Sequence, residues 1–344
     1  MTPAVTLPPR GGVRGLLDQL EAMHAGGDAA VLGIVVATEG STYQKPGALV
    51  LLGRNRLHHG VISGGCLEGE LLDRAQAVFD SGRAALIDFD TRSDEDLVFG
   101  SGTGCRGRVH LLLLPQPRGA PLAQSLRQAT RVGATLRLGL RLEGRGLGSG
   151  HAAIAANTTM SQGDEYWDET GAASATANAN FERELTIAPP PRVLLLGAGP
   201  ETPPLLDFMR HFGWFVTVVE HRGRWSAFAA SGQVDRVLAL APSAAVAALA
   251  GEHVDAAIAM SHNYALDAQY LRFCAGQEIV YVGLLGPPAR RDALLAELGS
   301  EADRLRPRLR APVGLDLGGS GPEAIALAIA AELQRFFAAS RTRG

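Results

Sequence analysis

The sequence predicts a two-domain α/β protein whose second domain is built on a doubly wound parallel sheet. Segments of strand and helix character alternate over residues 192–340, which is the pattern of successive βαβ units. The length of 344 residues also suits two domains of ordinary size. Pro189-Pro190-Pro191 forms a stiff, extended joint directly before the first of these strands. We therefore expect a first domain over residues 1–170, a linker over residues 171–191 and a second domain over residues 192–340.

The first half is predicted to be mixed α/β, but its strands and helices do not alternate as regularly as those of the second half. Residues 13–23 and 67–79 carry apolar side chains at helical spacing. Apolar and β-branched runs between turn residues predict strands. The predicted strands cover residues 29–38, 48–52, 57–62, 84–89 and 108–114.

In the second half, short apolar runs predict strands that are buried on both faces, as in a parallel sheet. The segments between them have helical spacing. Pro322 opens a last helix that extends to residue 337, since proline fits the first turn of a helix. The predicted strands cover residues 193–196, 215–219, 237–240, 256–260 and 279–284, and the other predicted helices cover residues 202–211, 243–249 and 265–274.

The composition argues against several classes of protein. The chain has 32 Lys and Arg against 35 Asp and Glu, and a net charge of −3 does not suit a sequence-independent nucleic-acid binder. No apolar stretch reaches the roughly 18 residues of a membrane span, and the first residues do not resemble a signal peptide. Cys66, Cys105 and Cys274 are too few and too scattered for a disulfide framework or a zinc ribbon. We expect a cytoplasmic protein with reduced thiols and with no nucleic-acid or membrane partner.

A glycine loop in the second half has the layout of a dinucleotide-binding fingerprint. Gly197 and Gly199 follow a predicted strand and precede a helix, and Glu220 closes the next strand. In this layout the glycines let the backbone approach a pyrophosphate, and the acid binds a ribose hydroxyl. Thr202 stands where the third glycine belongs, so the alternative is a Rossmann-type loop that is merely tight. His262 follows the fourth strand, at the sheet edge where such folds bind ligands.

A first cysteine-bearing turn lies at residues 62–68. Two glycines, Gly64 and Gly65, turn the chain before a helix that begins near Cys66 and Glu68. Backbone N–H groups at a helix start favour anions and stabilise a thiolate. Cys66 is therefore a candidate reactive sulfur, although on residue type alone a small apolar residue at the helix start is the simpler interpretation.

A second cysteine-bearing turn lies at residues 99–107. Gly102, Gly104 and their glycine neighbours surround Cys105, so few side chains separate the backbone N–H donors from a ligand. Arg106 and Arg108 are candidate partners of a phosphate group. A flexible loop without a ligand is the alternative. Residues 40–47, which include Lys45, form a further loop that can contribute to the same anion site or simply connect two strands.

Taken in order, these motifs resemble those of the XdhC/CoxI accessory proteins, which serve molybdenum hydroxylases such as xanthine dehydrogenase and carbon monoxide dehydrogenase. The resemblance extends over nearly the whole chain and rests on several motifs in the right order. In the first half these are Gly40-Ser41-Thr42 with Pro46-Gly47, residues 62–68 and residues 102–105. In the second half they are residues 197–199, 218–222, 281–286, 312–318 and 322–327.

The resemblance implies a family-specific α/β N-terminal domain followed by a Rossmann-like C-terminal domain. It also implies a chaperone-like role. Members bind the molybdenum cofactor, protect it while a cysteine desulfurase supplies its terminal sulfido ligand, and pass it to the apo-enzyme. The expected partners are thus the large subunit of a molybdenum hydroxylase and a cysteine desulfurase, and we expect a homodimer.

On this interpretation the chain binds Mo-molybdopterin and has no catalytic residue of its own. Cys66 and Cys105 are the expected metal ligands. The alternative is an NAD(P)-dependent oxidoreductase with His262 as its acid–base group, and a third class is a protein-interaction scaffold. The expected cofactor-binding residues are Gly64, Gly65, Cys66, Glu68, Gly102, Gly104, Cys105, Arg106, Gly197, Gly199, Glu220 and His262.

Overall fold

The computed structural model describes residues 9–55, 58–63, 67–90, 107–155, 165–174, 181–223 and 234–341. The chain divides into two compact units, Gly11–Pro189 and Pro190–Gly344, and Pro9 and Arg10 belong with the second. Nη1 of Arg10 lies 3.7 Å from Oδ1 of Asp235 in that unit.

The first unit contains a five-stranded antiparallel sheet with helices on both faces. Its elements are α1 (Gly12–Gly26), β1 (Ala30–Gly40), β2 (Leu49–Gly53), β3 (His58–His59), α2 (Glu68–Ser81), β4 (Ala85–Asp90) and β5 (Gly107–Pro115). The strand order is β3-β2-β1-β5-β4. The central strand β1 is buried over its first seven residues, because α1 packs on one face of the sheet and α2 on the other.

The same unit contains a second antiparallel sheet, of four strands. Its elements are α3 (Pro121–Val132), β6 (Thr135–Leu140), β7 (Gly150–Ala155), β8 (Glu165–Trp167) and β9 (Arg183–Ile187), in the strand order β8-β7-β6-β9. Leu136, Leu138 and Leu140 alternate along β6 and are all buried. They share one apolar core with α1, α3 and one face of the first sheet, and so the two sheets belong to a single unit.

The second unit is a six-stranded parallel sheet with helices on both faces. Its elements are β10 (Arg192–Leu196), α4 (Thr202–His211), β11 (Phe215–Val219), β12 (Arg236–Leu238), α5 (Pro242–Ala248), β13 (Ala256–Ala259), α6 (Tyr264–Ala275), β14 (Tyr281–Leu284), α7 (Pro288–Leu298), α8 (Ala302–Leu305), β15 (Leu309–Arg310) and α9 (Pro322–Arg341). The strand order is β12-β11-β10-β13-β14-β15. One face packs on α4 and α9 and the other on α5 to α8. The order reverses between β10 and β13, which is the point where doubly wound sheets bind ligands.

The α/β fold class and the doubly wound parallel sheet are confirmed. All the strands and helices predicted for residues 192–340 are present, with ends shifted by a few residues. In the first half, the strand predicted over residues 57–62 ends at His59, because Gly60 adopts a φ of +94° and turns the chain. The stretch 171–191, expected to be a connector, contains β9, whose Leu185 and Ile187 are buried in the core. None of the described helices combines the length and apolar character that a membrane span requires.

Candidate functional site

Several loops of the first unit meet at one end of the five-stranded sheet, which we call the Gly40 end. In the strand register Gly40 is opposite Gly107, and Asp90 is opposite Arg108. β1 therefore ends where the segment 91–106 leaves β4 and returns into β5. The segment that carries Cys105 is thus attached at both of its ends to the Gly40 end.

The turn that carries Cys66 is attached at the same end. β3 runs antiparallel to β2, so that the chain after His59 heads towards the Gly40 end. Nε2 of Gln44, in the loop that follows β1, donates to the carbonyl oxygen of Val61 at 2.8 Å. Ser63, the last described residue before Gly64, therefore lies near the 41–47 loop.

Close packing between Gly107 and the 41–47 loop fixes this arrangement. A Cβ atom at Gly107 would lie 2.7 Å from Cγ2 of Thr42 and 2.9 Å from the carbonyl oxygen of Glu39. Real Cβ atoms do not approach backbone so closely, so the strand that follows the second cysteine turn needs glycine here. The structure thus explains Gly107 by packing and not by ligand binding.

Ser63 and Glu68 clasp the ends of the first cysteine turn. Ser63 donates to the Glu68 carboxylate through its backbone N–H (3.0 Å) and its hydroxyl (2.6 Å), while its Oγ accepts the N–H of Leu67 at 3.0 Å. Burial acts to raise the pKa of Glu68, but the bonds from Ser63 outweigh it and hold the pKa below its usual value. Glu68, expected among the cofactor ligands, therefore acts on the turn through its clasp.

The cations at the Gly40 end differ in their availability. Nε of Arg108 donates to both carboxylate oxygens of Asp88 at 2.8 Å, and this bonding lowers the pKa of Asp88. Arg108, considered as a phosphate partner, is thus already paired. Lys45 is exposed, and no described residue forms an ion pair with it. Lys45 is therefore the better candidate for an anion at this end of the sheet.

Most of the residues expected at the cysteine turns lie outside the described part of the chain. These are Gly64, Gly65, Cys66, Gly102, Gly104, Cys105 and Arg106. The third cysteine, Cys274, is buried in the other unit, where burial raises its pKa to about 12. Within the described residues no cluster of three His, Cys, Asp or Glu side chains is arranged to hold a metal ion.

In the second unit, the glycine loop after β10 is shaped by packing against the end of β13. Gly197 has a φ of +92°, and a Cβ atom there would lie 2.6 Å from Cβ of Ser261. A Cβ atom at Gly199 would lie 2.7 Å from Cδ2 of His262 and 2.5 Å from Oε1 of Glu201. Backbone packing therefore requires glycine at position 197, whereas a side chain at position 199 would have to displace the ends of His262 and Glu201.

The N–H groups of this loop are also bonded within the protein. Those of Gly197, Ala198 and Gly199 donate to the carbonyl of Val219, to Oε2 of Glu220 and to Oγ1 of Thr202, at 2.9, 3.0 and 2.9 Å. Three further positions, 200, 203 and 204, are prolines without an N–H. The loop and the first turn of α4 thus offer few donors to a pyrophosphate.

Glu220 is not placed to receive a ribose hydroxyl. It is only 1% exposed, and its Oε1 accepts the backbone N–H of Arg222 at 2.7 Å and Nε of Arg222 at 2.9 Å. Burial acts to raise the pKa of Glu220, and the bonds from Arg222 and Ala198 outweigh it and lower that pKa. The guanidinium of Arg222 also donates to the carbonyls of Ser261 and Ala198, so Glu220 and Arg222 together tie β10 to β13.

His262 lies at the predicted sheet edge and has a partner that the sequence does not reveal. Its Nε2 is 2.9 Å from Oε1 of Glu201, a residue just before α4 whose side chain is 3% exposed. His262 itself has a φ of +55°, the one non-glycine residue in the described chain with a positive φ. The signal available in the sequence was an acid within the fingerprint loop, but nothing there showed that it is buried.

Two family models match the chain. The model described as the XdhC Rossmann domain matches residues 193–333, and the model described as the XdhC and CoxI family matches residues 23–90. The first of these matches lies in the unit with the parallel sheet, and the second lies in the unit with the Gly40 end.

Two relatives match nearly the full length of the chain. A protein of Bacillus subtilis (strain 168) described as a probable subunit of xanthine dehydrogenase is 28% identical over 323 residues, which cover 91% of this chain and 95% of that protein. A crystal structure from Bacillus halodurans, described as a xanthine dehydrogenase, superposes with a TM-score of 0.72 at 26% identity and covers 95% of this chain and 96% of its own.

Proposed function

The chain belongs to the XdhC and CoxI family, and from this premise we propose that it binds the molybdenum cofactor for delivery to a molybdenum hydroxylase. An accessory role towards xanthine dehydrogenase follows from the family and from the two relatives that carry that enzyme's name. The finer claim is that the cofactor binds at the Gly40 end of the first unit. It carries a phosphate, which suits the backbone N–H groups of glycine loops, and a metal atom, which a cysteine thiolate can bind.

The observation that carries this assignment is the common attachment of the two cysteine-bearing segments. Ser63 and Leu67 flank the first segment and Asp90 and Gly107 flank the second. Ser63, Asp90 and Gly107 all belong to the Gly40 end. Two thiolates provided from one end of a sheet are a suitable donor set for a soft metal centre. Lys45, which forms no ion pair with a described residue, supplies at the same end a cation that suits the phosphate group.

The proposed roles of the chain's own residues follow from this arrangement. Cys66 and Cys105 hold the metal, and the backbone N–H groups of Gly64, Gly65, Gly102 and Gly104 bind the phosphate with Lys45 and Arg106. The clasp between Ser63 and Glu68 fixes both ends of the first turn, so that less chain entropy is lost on binding. When bound, the cofactor would supply the molybdenum centre that the client hydroxylase uses in its reaction.

The test is the metal content of the protein purified from a host supplied with molybdate. We expect wild-type protein to retain molybdenum and molybdopterin, the latter measured as its fluorescent oxidised derivative. Cys105→Ala removes a metal ligand and should abolish retention, and Cys66→Ala should lower it strongly. Circular dichroism verifies that the variants are folded.

Cys274→Ala is the matched control, because this thiol is buried in the other unit. It should retain as much molybdenum as the wild type. Equal molybdenum content in Cys105→Ala and Cys274→Ala would contradict the assignment. Sulfur supply by a cysteine desulfurase, transfer to the large subunit of the hydroxylase, and a homodimeric state belong to the same proposal.

A further inference from the structure

The buried carboxylates at the carboxyl end of the parallel sheet differ in their partners. Glu220 is bonded to Arg222, and Asp267, fully buried, is bonded to Nη2 of Arg290 at 2.5 Å. Arginine keeps its charge at all accessible pH values and is thus a permanent counter-ion. Glu201, equally buried, has an imidazole as its partner among the described residues. A histidine in place of an arginine gives this carboxylate a partner that can gain and lose a proton.

The hydrogen bonding of His262 leaves one of its ring nitrogens available for proton transfer. Its Nε2 is held by Glu201, whereas its side chain is 48% exposed and its Nδ1 has no hydrogen-bond partner within the described chain. A carboxylate on one imidazole nitrogen fixes the orientation of the ring and stabilises the imidazolium, while the other nitrogen is left for a ligand. The backbone of His262 is strained, since its φ is +55°, and strained residues of this kind concentrate at functional sites.

The position in the fold is also that of a binding site. Glu201 follows β10, His262 follows β13, and the strand order reverses between these two strands. The crevice at this switch point is where open α/β sheets bind ligands. A Cβ atom at Gly199 would lie 2.5 Å from Oε1 of Glu201 and 2.7 Å from Cδ2 of His262. The backbone of the glycine loop therefore passes directly beside the Glu201–His262 pair.

We propose that His262 is a proton-transfer group and Glu201 its positioning residue, acting on a small molecule that presents an O–H or S–H group. Nδ1 accepts the proton, the oxygen or sulfur keeps the electron pair, and the imidazolium charge is paired with the Glu201 carboxylate. A pyrophosphate is not the ligand, because the loop N–H groups are occupied and Glu201 places a negative charge at the start of α4. This site is independent of the cofactor site proposed in the first unit.

The test measures the reactivity of single histidines with diethyl pyrocarbonate, a probe that needs no cofactor. The unprotonated imidazole nitrogen attacks the reagent's carbonyl carbon and forms carbethoxyhistidine, with release of ethanol and carbon dioxide. The reaction is run about two pH units above the usual histidine pKa of about 6.5. Peptide mass spectrometry then gives the labelling rate of each histidine. We expect His262 to react at least fivefold faster than His253, which pairs with the more exposed Asp255 at 3.1 Å.

Variants separate the role of the pair from a structural role. Glu201→Gln keeps the side-chain shape and should slow the labelling of His262 severalfold, while His253 reacts as before. Gly199→Ala leaves both groups in the chain but forces them apart, and should have the same effect. Gly276→Ala, where a Cβ meets only an ordinary 3.5 Å contact, is the control and should change nothing.

A second measurement uses the hydrolysis of p-nitrophenyl acetate at neutral pH. We expect the wild type to release p-nitrophenolate severalfold faster than His262→Gln and Glu201→Gln. Equal His262 labelling in the wild type and Glu201→Gln, or a His262 no more reactive than His253, would overturn the proposal. If the wild-type protein retained no molybdenum but His262 gave the expected labelling and hydrolysis results, only the function proposed for the first unit would be refuted.

Discussion

At the scale of single residues, two acids expected to contact a ligand act on the backbone instead. Glu68 accepts both the N–H and the hydroxyl of Ser63, and Glu220 accepts the N–H of Ala198. A carboxylate that accepts several such bonds is held ionised, and it fixes the chain on either side of a loop. Acids beside a binding loop can thus serve the loop's shape, and sequence alone does not separate this role from direct ligand contact.

Replacement of Ser63 with alanine should destabilise the first unit by about 1 kcal/mol at neutral pH, because Leu67 loses its hydrogen-bond acceptor and Glu68 loses the hydroxyl donor, keeping only the backbone N–H of residue 63. The pKa of Glu68 is lowered in the folded protein, so its contribution is present above the unfolded-state value of about 4.3 and is lost as the pH falls through the folded value. The difference from wild type, measured by denaturant unfolding, should therefore shrink on acidification.

Ser81→Ala is the control for this experiment. Ser81 lies at the other end of α2, where its hydroxyl donates to the carbonyl of Ala77. Its effect should not follow the titration of Glu68. If the destabilisation by Ser63→Ala were constant from pH 7 to well below the carboxylate pKa, the clasp would not be the cause.

At the scale of elements, the strand–loop–helix unit of β10 and α4 keeps the outline of a dinucleotide fingerprint but not its donors. Thr202, in the position of the third glycine, accepts the N–H of Gly199 through its hydroxyl. Two prolines in the first turn of α4 remove further N–H groups. Gly197 is instead needed for the close contact with Ser261, and Gly199 lies beside the ring of His262.

NADH and NADPH should therefore show no saturable binding when they are titrated against the protein and followed by their fluorescence. The physical reason is that a pyrophosphate would have to displace the bonds to Glu220 and Thr202 while facing the charge of Glu201. A saturable signal that disappears in Glu220→Gln would contradict this and restore the oxidoreductase alternative. Another dehydrogenase with a complete fingerprint provides the positive control.

The sequence predicted elements well where burial has a clear period. Helix α4 was predicted with its observed bounds, because Leu205, Leu206 and Met209 recur on one face and are buried. The four-stranded sheet was not predicted, although the leucines of β6 alternate, since β7 has mostly small residues and β9 follows a featureless polar stretch. Gly139 is needed in β6 because the ring of His151 lies across it, a requirement that only the register reveals.

The candidate sites were predictable to different degrees for the same reason. The glycine turns were visible as composition, and His262 as a residue after a strand. The partnership of His262 with Glu201 joins positions 61 residues apart in the chain, and no local pattern reports such a contact. Whether a cation is already paired likewise depends on neighbours that only folding brings together. Arg108 is bonded to Asp88, whereas Lys45 has no ion-pair partner in the part of the chain that the structure describes.

At the scale of the whole molecule, each unit has its own apolar cores. Leu112 is fully buried in the core that the two antiparallel sheets share with α1 and α3. Leu195 is fully buried in the core between the parallel sheet, α4 and α9. The cofactor site proposed for the first unit and the proton-transfer site proposed for the second are therefore supported by different cores.

Leu112→Ala and Leu195→Ala should each lower the unfolding temperature of a different unit in scanning calorimetry of the full chain. A truncated buried leucine costs about 2–5 kcal/mol, and each kcal/mol shifts the midpoint by about 2–4 °C in a unit of this size. Val132→Ala and Val280→Ala, which truncate exposed side chains in the two units, are the controls and should have little effect. A single transition that moves equally with both leucine variants would mean that the units unfold as one, and the loss of either site would then have to be judged against the stability of the whole chain.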